Sequence, residues 1–430
     1  MRYPVSMKSS IDRSQRINMN ILITNVHSAK NLGDDAIMQV TLVGIKSKYP
    51  TARITIAAND PESWKKYSDL EVVNSLCSWV GDCRYGQFRK GLVFMPFVIL
   101  YLFLAAILYR STRVKFNLGR GEKSKLLSAY YQSDLVLICG GGNLYSHRSA
   151  SPALIWGLIT VAFAIGLGKR TVMLPQSVGP IAGKAQRWLS RLVLNHVSHI
   201  MVREAISKNF IENSLGVSSE VLLMPDMAFG LPYKSCDFPD LQPGQGLKVG
   251  VTVIDRGAQE KTFLHQQDYE RSLISTISQL ITEQNAQINF FIQCKGPSPD
   301  QNDALVTNRL ITLLDKYDES IRIHDDIQDA IQLRQEFDNM VFIIGTRMHT
   351  GIIGFSVGVP ILLISYQPKS AGIMELMNLS RYCLDIEHIT PQILGKLIDD
   401  MINENKEIRA RITKHYQQIH LAANNWLNSI

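Results

Sequence analysis

Short apolar runs rich in β-branched residues recur along this chain, and longer helical stretches separate them. Ile21–Thr24, Ile54–Ala57, Leu135–Cys139, Thr171–Leu174, His199–Val202 and Val221–Met224 form one series of six. Val249–Ile254, Ile288–Gln293, Ile321–His324, Val341–Ile344, Ile361–Ser365 and Cys383–Ile386 form a second. Runs that are apolar throughout, rather than alternating, are strands covered on both faces. With helical segments between them, they imply parallel sheets and crossover helices. Between the two series lies Leu231–Leu247, rich in Pro, Gly and Asp, which has the composition of a linker. The expected fold class is therefore α/β, with two doubly wound, Rossmann-like domains over residues 19–232 and 248–430 facing one another across a cleft. Residues 1–18 carry Arg2, Lys8, Arg13 and Arg16 without an apolar core. They do not make a secretory signal, and the ordered chain is expected to begin near Met19.

Composition narrows the function classes. With 430 residues, 46% of them hydrophobic and 19% charged, the chain can bury large cores, which excludes a disordered tail protein. A net charge of +7 favours anionic partners: phosphorylated substrates, acidic lipid or nucleic acid. The cations are dispersed and no zinc-finger or RNA-recognition signature is present, so no nucleic-acid partner is expected. The six cysteines (Cys77, Cys83, Cys139, Cys236, Cys294, Cys383) include no C-x-x-C pair. Neither a metal centre nor a cofactor is called for, and buried free thiols in a reducing, cytoplasmic compartment are the simplest arrangement.

One segment breaks the pattern. Leu92–Tyr109 holds no charge over 18 residues and is flanked by Lys90, Arg110 and Arg113. As a helix it would be about 27 Å long, at the lower limit for crossing a bilayer. Strands before and after it belong to one sheet and so lie on one side of a membrane. This insert, residues 90–110, is thus expected to lie in a membrane surface or against the fold or a partner, not to span. Ala153–Leu167 is also apolar, but it sits between two strands and is expected to be a buried crossover helix.

Ligands of doubly wound folds bind outside the carboxyl ends of the strands, which turns the strand series into candidate sites. Asn31-Leu32-Gly33-Asp34 follows the first strand, Gly140-Gly141-Gly142-Asn143 the third, and Gln176-Ser177-Val178-Gly179-Pro180 the fourth. Each can be a ligand-contacting loop or a plain turn or helix cap. Arg203 follows His199–Val202, where it can bind an anion or pair with Glu204 or another neighbour; Asp226 follows Val221–Met224. The sharpest cluster is in the second half. Val341–Ile344 gives way to Gly345-Thr346-Arg347-Met348-His349, and Ile361–Ser365 to Tyr366-Gln367-Pro368-Lys369. Two successive strand ends then bring Arg347, His349 and Lys369 around a helix N-terminus, a site for a small, highly charged anion.

These residues resemble the polysaccharide pyruvyl transferase family, and most the branch that includes colanic acid pyruvyl transferase. Gly345–His349 through Tyr366-x-x-Lys369-Ser370-Ala371-Gly372-Ile373-Met374 carries the resemblance most specifically. Asn31-x-Gly33-Asp34, Gly140–Gly142, Gln176–Pro180 and Val202-Arg203-Glu204 fit the same family, so the similarity runs from about Met19 onward. The long apolar insert is a departure. The resemblance implies a glycosyltransferase-B-like fold, phosphoenolpyruvate as donor and a saccharide, free or lipid-linked, as acceptor. It implies a pyruvate ketal as product, in exopolysaccharide or cell-envelope glycan synthesis. It also implies that Arg203, Arg347, His349 and Lys369 are donor-site residues, with Gly141, Gly142, Asn31 and Asp34 completing the substrate contacts. The C-terminal domain would then hold the donor and the N-terminal domain the acceptor.

On that reading Arg347 and Lys369 hold phosphate and carboxylate, and Arg203 reaches the donor from the opposite domain. His349 is the general acid, since an ordinary imidazole titrates near neutrality. Asp34, Glu204 and Asp226 are the candidates for the base. The rivals are a nucleotide-sugar glycosyltransferase of the same architecture and a non-catalytic membrane scaffold. The enzyme is expected in the cytoplasm, peripheral on the inner face of the cell membrane.

Overall fold

Leu135–Ile138 (LVLI) is buried at all four positions, as a strand must be when helices cover both faces of its sheet. It lies near the middle of an eight-stranded sheet in which every pairing is parallel. The structure, a computed structural model, describes residues 19–81, 91–146, 151–234, 246–260 and 262–430. The expected start near Met19 and most of the Leu231–Leu247 linker therefore border on or lie outside the described residues.

The first sheet contains β1 (Asn20–Val26), β2 (Arg53–Ala58), β3 (Glu71–Asn74), β4 (Leu135–Ile138), β5 (Gly141–Ser146), β6 (Arg170–Ile181), β7 (His199–Val202) and β8 (Val221–Leu223). Their order is β3-β2-β1-β4-β6-β7-β8, with β5 paired to β6. The second contains β9 (Lys248–Thr252), β10 (Gln287–Phe291), β11 (Ile321–His324), β12 (Phe342–Gly345), β13 (Ile361–Ser365) and β14 (Cys383–Asp385), in the order β11-β10-β9-β12-β13-β14. Both begin from a central strand, build outward in one direction and then reverse. That is the doubly wound topology, with switch points at β1/β4 and β9/β12.

All twelve expected strands are present, together with two that the apolar runs do not announce. Glu71–Asn74 is a four-residue edge strand. Gly141–Ser146 is a strand in place of the expected glycine turn, and it draws Gln176–Pro180 into an extended β6 rather than a loop. The chain divides into two compact units. The second, on the second sheet, comprises Lys30–Ala36 and Ala228–Leu421; the first comprises the described residues up to Ala29, Ile37–Met227 and Ala422–Ile430. The division differs in detail from 19–232 and 248–430, because the stretch that opens helix α1 (Leu32–Lys48) groups with the second sheet.

The apolar insert is helix α2, Gly91–Thr112, with Pro96 inside it as the sixth residue, where the ring removes one i→i−4 hydrogen bond. One stripe of it is core. Leu102, Ala105, Ala106 and Tyr109 are buried in a cluster with Tyr130 and Tyr131 of α3 (Glu122–Gln132) and Phe163 and Ala164 of α4 (Pro152–Gly166). A Cβ on Gly166 would lie 3.1 Å from Ala106, so the two helices approach closely. The expected buried crossover helix is α4, started by Pro152 and by Ser151, whose Oγ accepts from the Leu154 N–H. Its apolar composition follows from packing on the sheet side and on α2. Cys139 and Cys294 are buried free thiols as expected.

Candidate active site

β9, β12 and β13 are neighbours in the second sheet, and their carboxyl ends carry the candidate cations. Four helices of this unit matter here: α5 (Asp303–Leu313), α6 (Ala330–Phe337), α7 (Met348–Phe355) and α8 (Pro368–Leu376). β12 ends at Gly345, and Arg347 is the N-cap residue of α7. Arg347 therefore stands at the β9/β12 switch point, where the fold directs ligands. His349 is the second residue of α7 and Lys369 the second of α8; both are half-buried, and α7 packs on α8 through Gly351 and Ile373.

A buried polar floor fixes this turn. Thr252 and Thr350 hydroxyls lie 2.9 Å apart, and the Tyr269 hydroxyl lies 2.7 Å from that of Thr346. Thr346 N–H donates to the Thr252 carbonyl at 3.2 Å, and the Thr350 hydroxyl donates to Gln293 Oε1. All five side chains are buried, so each bond forms in a low dielectric where leaving it unmade is costly. The threonines suit the place because they offer a hydroxyl without a long chain.

Arg347 is not an open clamp. Its Nε and Nη2 donate to Asp303 Oδ2 and Oδ1 at 2.7 and 2.5 Å, a fork-to-carboxylate pair. Asp303 is 1% exposed at its side chain and Arg347 12%. Burial works against the guanidinium charge, but Asp303 more than restores it, so Arg347 stands above the ordinary arginine range. Asp303 Oδ2 also accepts the Cys294 N–H at 2.9 Å. Burial pushes the Cys294 thiol up to about 11, which keeps it neutral. The fork expected to grip the ligand thus grips Asp303 through Nε and Nη2, and Nη1 stands outside that pair. On the other side, Arg256 after β9 lies over the Tyr366 ring at 5.3 Å and ion-pairs with Glu260.

The segment Lys30–Ala36 belongs to this same unit. Asn31 bridges to Cys294, and the Leu32 N–H donates to the Gln293 carbonyl at 3.0 Å. Asn31 Oδ1 accepts the Gly33 N–H at 3.1 Å, and Asp35 Oδ2 accepts the Ala330 N–H at 2.9 Å at the start of α6. Gly33 lies against His349: a Cβ there would fall 2.3 Å from the imidazole Nδ1. Any other residue would collide with the ring. Asn31, Asp34, Arg347 and His349 are thus gathered in one unit, with Lys369 on the adjoining strand end.

The remaining candidates lie in the first unit. Arg203, expected at the donor, is nearly enclosed by partners of its own. Its side chain is 3% exposed, with Nη1 on Asp226 Oδ2 at 2.5 Å and Nε on Glu204 Oε1 at 2.9 Å and Ser177 Oγ at 2.8 Å. Glu204 and Asp226 both pair with this guanidinium. Gly141 and Gly142 open β5 at the β1/β4 switch point; Gly141 has φ +130°, with open space where a Cβ would stand. A cavity of 220 Å³ lined by Asn20, Arg53, Glu71 and Lys125 lies at the opposite, amino ends of the strands, away from the edge where such folds bind ligands. Among the described residues no group of His, Cys, Asp and Glu could hold a metal.

The polysaccharide pyruvyl transferase model matches residues 31–368, from the Asn31 segment to the start of α8. The chain belongs to the polysaccharide pyruvyl transferase family. The match encloses Asn31, Asp34, Arg347 and His349, and stops one residue short of Lys369. The chain is 22% identical to the amylovoran biosynthesis protein AmsJ of Erwinia amylovora, over 94% of this chain and 97% of that one. Solved structures share the fold at lower identity. A UDP-N-acetylglucosamine 2-epimerase homologue from Listeria monocytogenes superposes with TM-score 0.57 at 13% identity, over 96% of each chain. The spinosyn rhamnosyltransferase SpnG superposes with TM-score 0.50 at 11% identity, over 96% of this chain and 99% of that one. The pyruvyl transferase therefore has a glycosyltransferase-B-like fold, with two parallel-sheet α/β domains.

Asp303 and Arg256 are the positions in this edge that spacing alone does not single out. Asp303 is 44 residues from its partner in the chain. Its only signal is its place after Asn302, which reads as a helix cap and is one: Asn302 Oδ1 accepts the Ala304 N–H at 3.1 Å.

Proposed function

We propose that this enzyme transfers pyruvate from phosphoenolpyruvate to two hydroxyls of one sugar, as a ketal, in exopolysaccharide or cell-envelope glycan synthesis. The observation that carries the reading is the junction of Arg347 and His349 with the Asn31–Asp34 segment at the switch point of the second sheet. The guanidinium, the imidazole against Gly33 and the neighbouring Asp34 support this reading, in a family named for pyruvyl transfer. His349 protonates the methylene carbon of the enol phosphate, and the adjacent carbon becomes an oxocarbenium-like electrophile. The first sugar hydroxyl adds and loses its proton, the carbon–phosphate oxygen bond breaks, and the second hydroxyl closes the ketal. Of the two hydroxyl protons, one leaves on inorganic phosphate and the other restores the proton that His349 gave to carbon. Arg347, through Nη1, and Lys369 stabilise the departing phosphate and the donor carboxylate, and Arg256 behind Tyr366 adds positive potential.

Asp34 is the candidate base, because Glu204 and Asp226 are bound to Arg203. Arg203 then acts as a positioning residue for Ser177 and Glu204. Gly141 and Gly142 offer a side-chain-free edge for the acceptor, and the first unit is the acceptor side, the second the donor side. The acceptor is a saccharide, free or lipid-linked, and the enzyme works on the cytoplasmic face of the cell membrane. The test is phosphate release from phosphoenolpyruvate by the purified enzyme, with and without cell-envelope glycan. Release that depends on the glycan supports the reading. Thermal stabilisation by a UDP-sugar and none by phosphoenolpyruvate would favour the nucleotide-sugar rival.

A further inference from the structure

Helix α2 is apolar on both sides, and only one side is used. Leu102, Ala105, Ala106 and Tyr109 form the buried stripe, at the spacing of one helix face. The opposite face is exposed and equally apolar: Val93 is 69% exposed, Phe97 69%, Phe103 61% and Leu104 50%, with Phe94, Leu100 and Ile107 beside them. Soluble surfaces seldom carry so long an apolar patch unless something covers it. The chain that follows is purely basic. From Gly91 to Gly121 there is no Asp or Glu, and Arg110, Arg113, Lys115 and Arg120 are all exposed. Val114 and Leu118 are exposed among them.

We propose that this surface docks on an anionic bilayer with α2 lying in the plane of the interface. The inference rests on the proposed function for its purpose only, since nothing in the docking requires the chemistry. Phe94, Phe97, Leu100, Phe103, Leu104 and Ile107 enter the acyl boundary. Arg110, Arg113, Lys115 and Arg120 meet the headgroups, where their charge is complementary and their stems can lie along the apolar boundary. The fold rules out a span. By length and composition α2 could cross a membrane. A span would extract the buried stripe, break the Tyr109 hydroxyl's bond to the Tyr131 carbonyl at 3.3 Å, and leave Lys169, which sits over the Tyr109 ring, against lipid. It would also strip the cover from α4. A monotopic helix keeps all of these and buries the other face.

The experiment is flotation of the full chain with vesicles of phosphatidylcholine and phosphatidylglycerol, compared with phosphatidylcholine alone. The wild-type protein should float with the anionic vesicles and stay bound at high salt, because apolar burial is not screened while the headgroup contacts are. Leu100→Asp/Leu104→Asp, both on the exposed face, should weaken binding by at least about tenfold, while circular dichroism and phosphate release on a soluble acceptor stay unchanged. Arg110→Ser/Arg113→Ser should lose the preference for anionic vesicles. Absence of flotation, or equal flotation of the Leu100→Asp/Leu104→Asp protein, would overturn the proposal. So would a wild-type dimer that this variant dissociates without any vesicle binding, which makes the face a self-interface. If flotation succeeds and no phosphate is released, the docking stands and the proposed chemistry fails.

Discussion

Replacing Asp303 by Asn tests how the site holds its central cation. In the wild type the Arg347 fork meets both carboxylate oxygens at 2.7 and 2.5 Å, and the pair is nearly out of water. Asn keeps the shape and one acceptor oxygen but removes the charge, so Arg347 is left buried without a counter-ion. Breaking a buried pair from one side costs about 3–5 kcal/mol. The retained hydrogen bond places this change near the low end, at about 3 kcal/mol. For a unit of this size that lowers the apparent melting temperature by about 6–12 °C. The donor should respond differently. An uncompensated cation attracts an anion at least as strongly, so the dissociation constant for phosphoenolpyruvate should hold or fall. The fork has lost its anchor, however, so turnover should drop on the order of tenfold to a hundredfold through misplacement of the donor. Differential scanning fluorimetry and steady-state phosphate release measure the two effects. Asp303→Glu serves as the second variant: it restores the charge but not the fork geometry, and should recover melting more than turnover. An Asp303→Asn enzyme that melts with the wild type, or that loses donor affinity tenfold with turnover intact, would refute this reasoning.

Gly33→Ala places a methyl 2.3 Å from the His349 Nδ1 and must displace the ring, so turnover should fall on the order of tenfold or more with a smaller change in donor affinity; unchanged turnover would show that the ring's position is irrelevant. His349→Ala should reduce turnover by on the order of 10²–10⁴-fold while phosphoenolpyruvate still stabilises the protein, and a fully active variant would remove the acid assignment. Arg203→Ala leaves Asp226 and Glu204 without their cation and should cost about 3–5 kcal/mol, read as a lowered urea midpoint. A stable variant with impaired donor binding would instead return Arg203 to the donor site.

The strands are legible because buried parallel strands are written as unbroken apolar runs, and at this length and spacing little else produces such runs. β5 is not, because Gly141 and Gly142 disfavour a strand on propensity; the pairing with β6 overrides it. β3 is four residues at an edge, too short for a pattern. The candidate cations are visible through the rule of strand carboxyl ends. Their partners are not: the Asp303–Arg347 pair and the Gly33–His349 contact join residues far apart in the chain, and no local pattern encodes them. Arg203 shows the converse. Its position matches an anion site, but the sequence does not reveal that Asp226 and Glu204 close around it. The composition of α2 is plain in the sequence, whereas the division into a core stripe and a bare one requires the packing.

The central claim is that an intact pyruvyl group passes from phosphoenolpyruvate to a sugar. It is tested most directly by incubating the purified enzyme with cell-envelope glycan and phosphoenolpyruvate labelled with ¹³C at the carbon bearing the phosphate, and following the label by NMR. The account predicts that the enol carbon signal disappears, a ketal carbon bonded to two sugar oxygens appears in the glycan, and phosphate is released in equal amount. Free labelled pyruvate with no label in the glycan would contradict it, as would sugar transfer from a nucleotide sugar while phosphoenolpyruvate remains untouched.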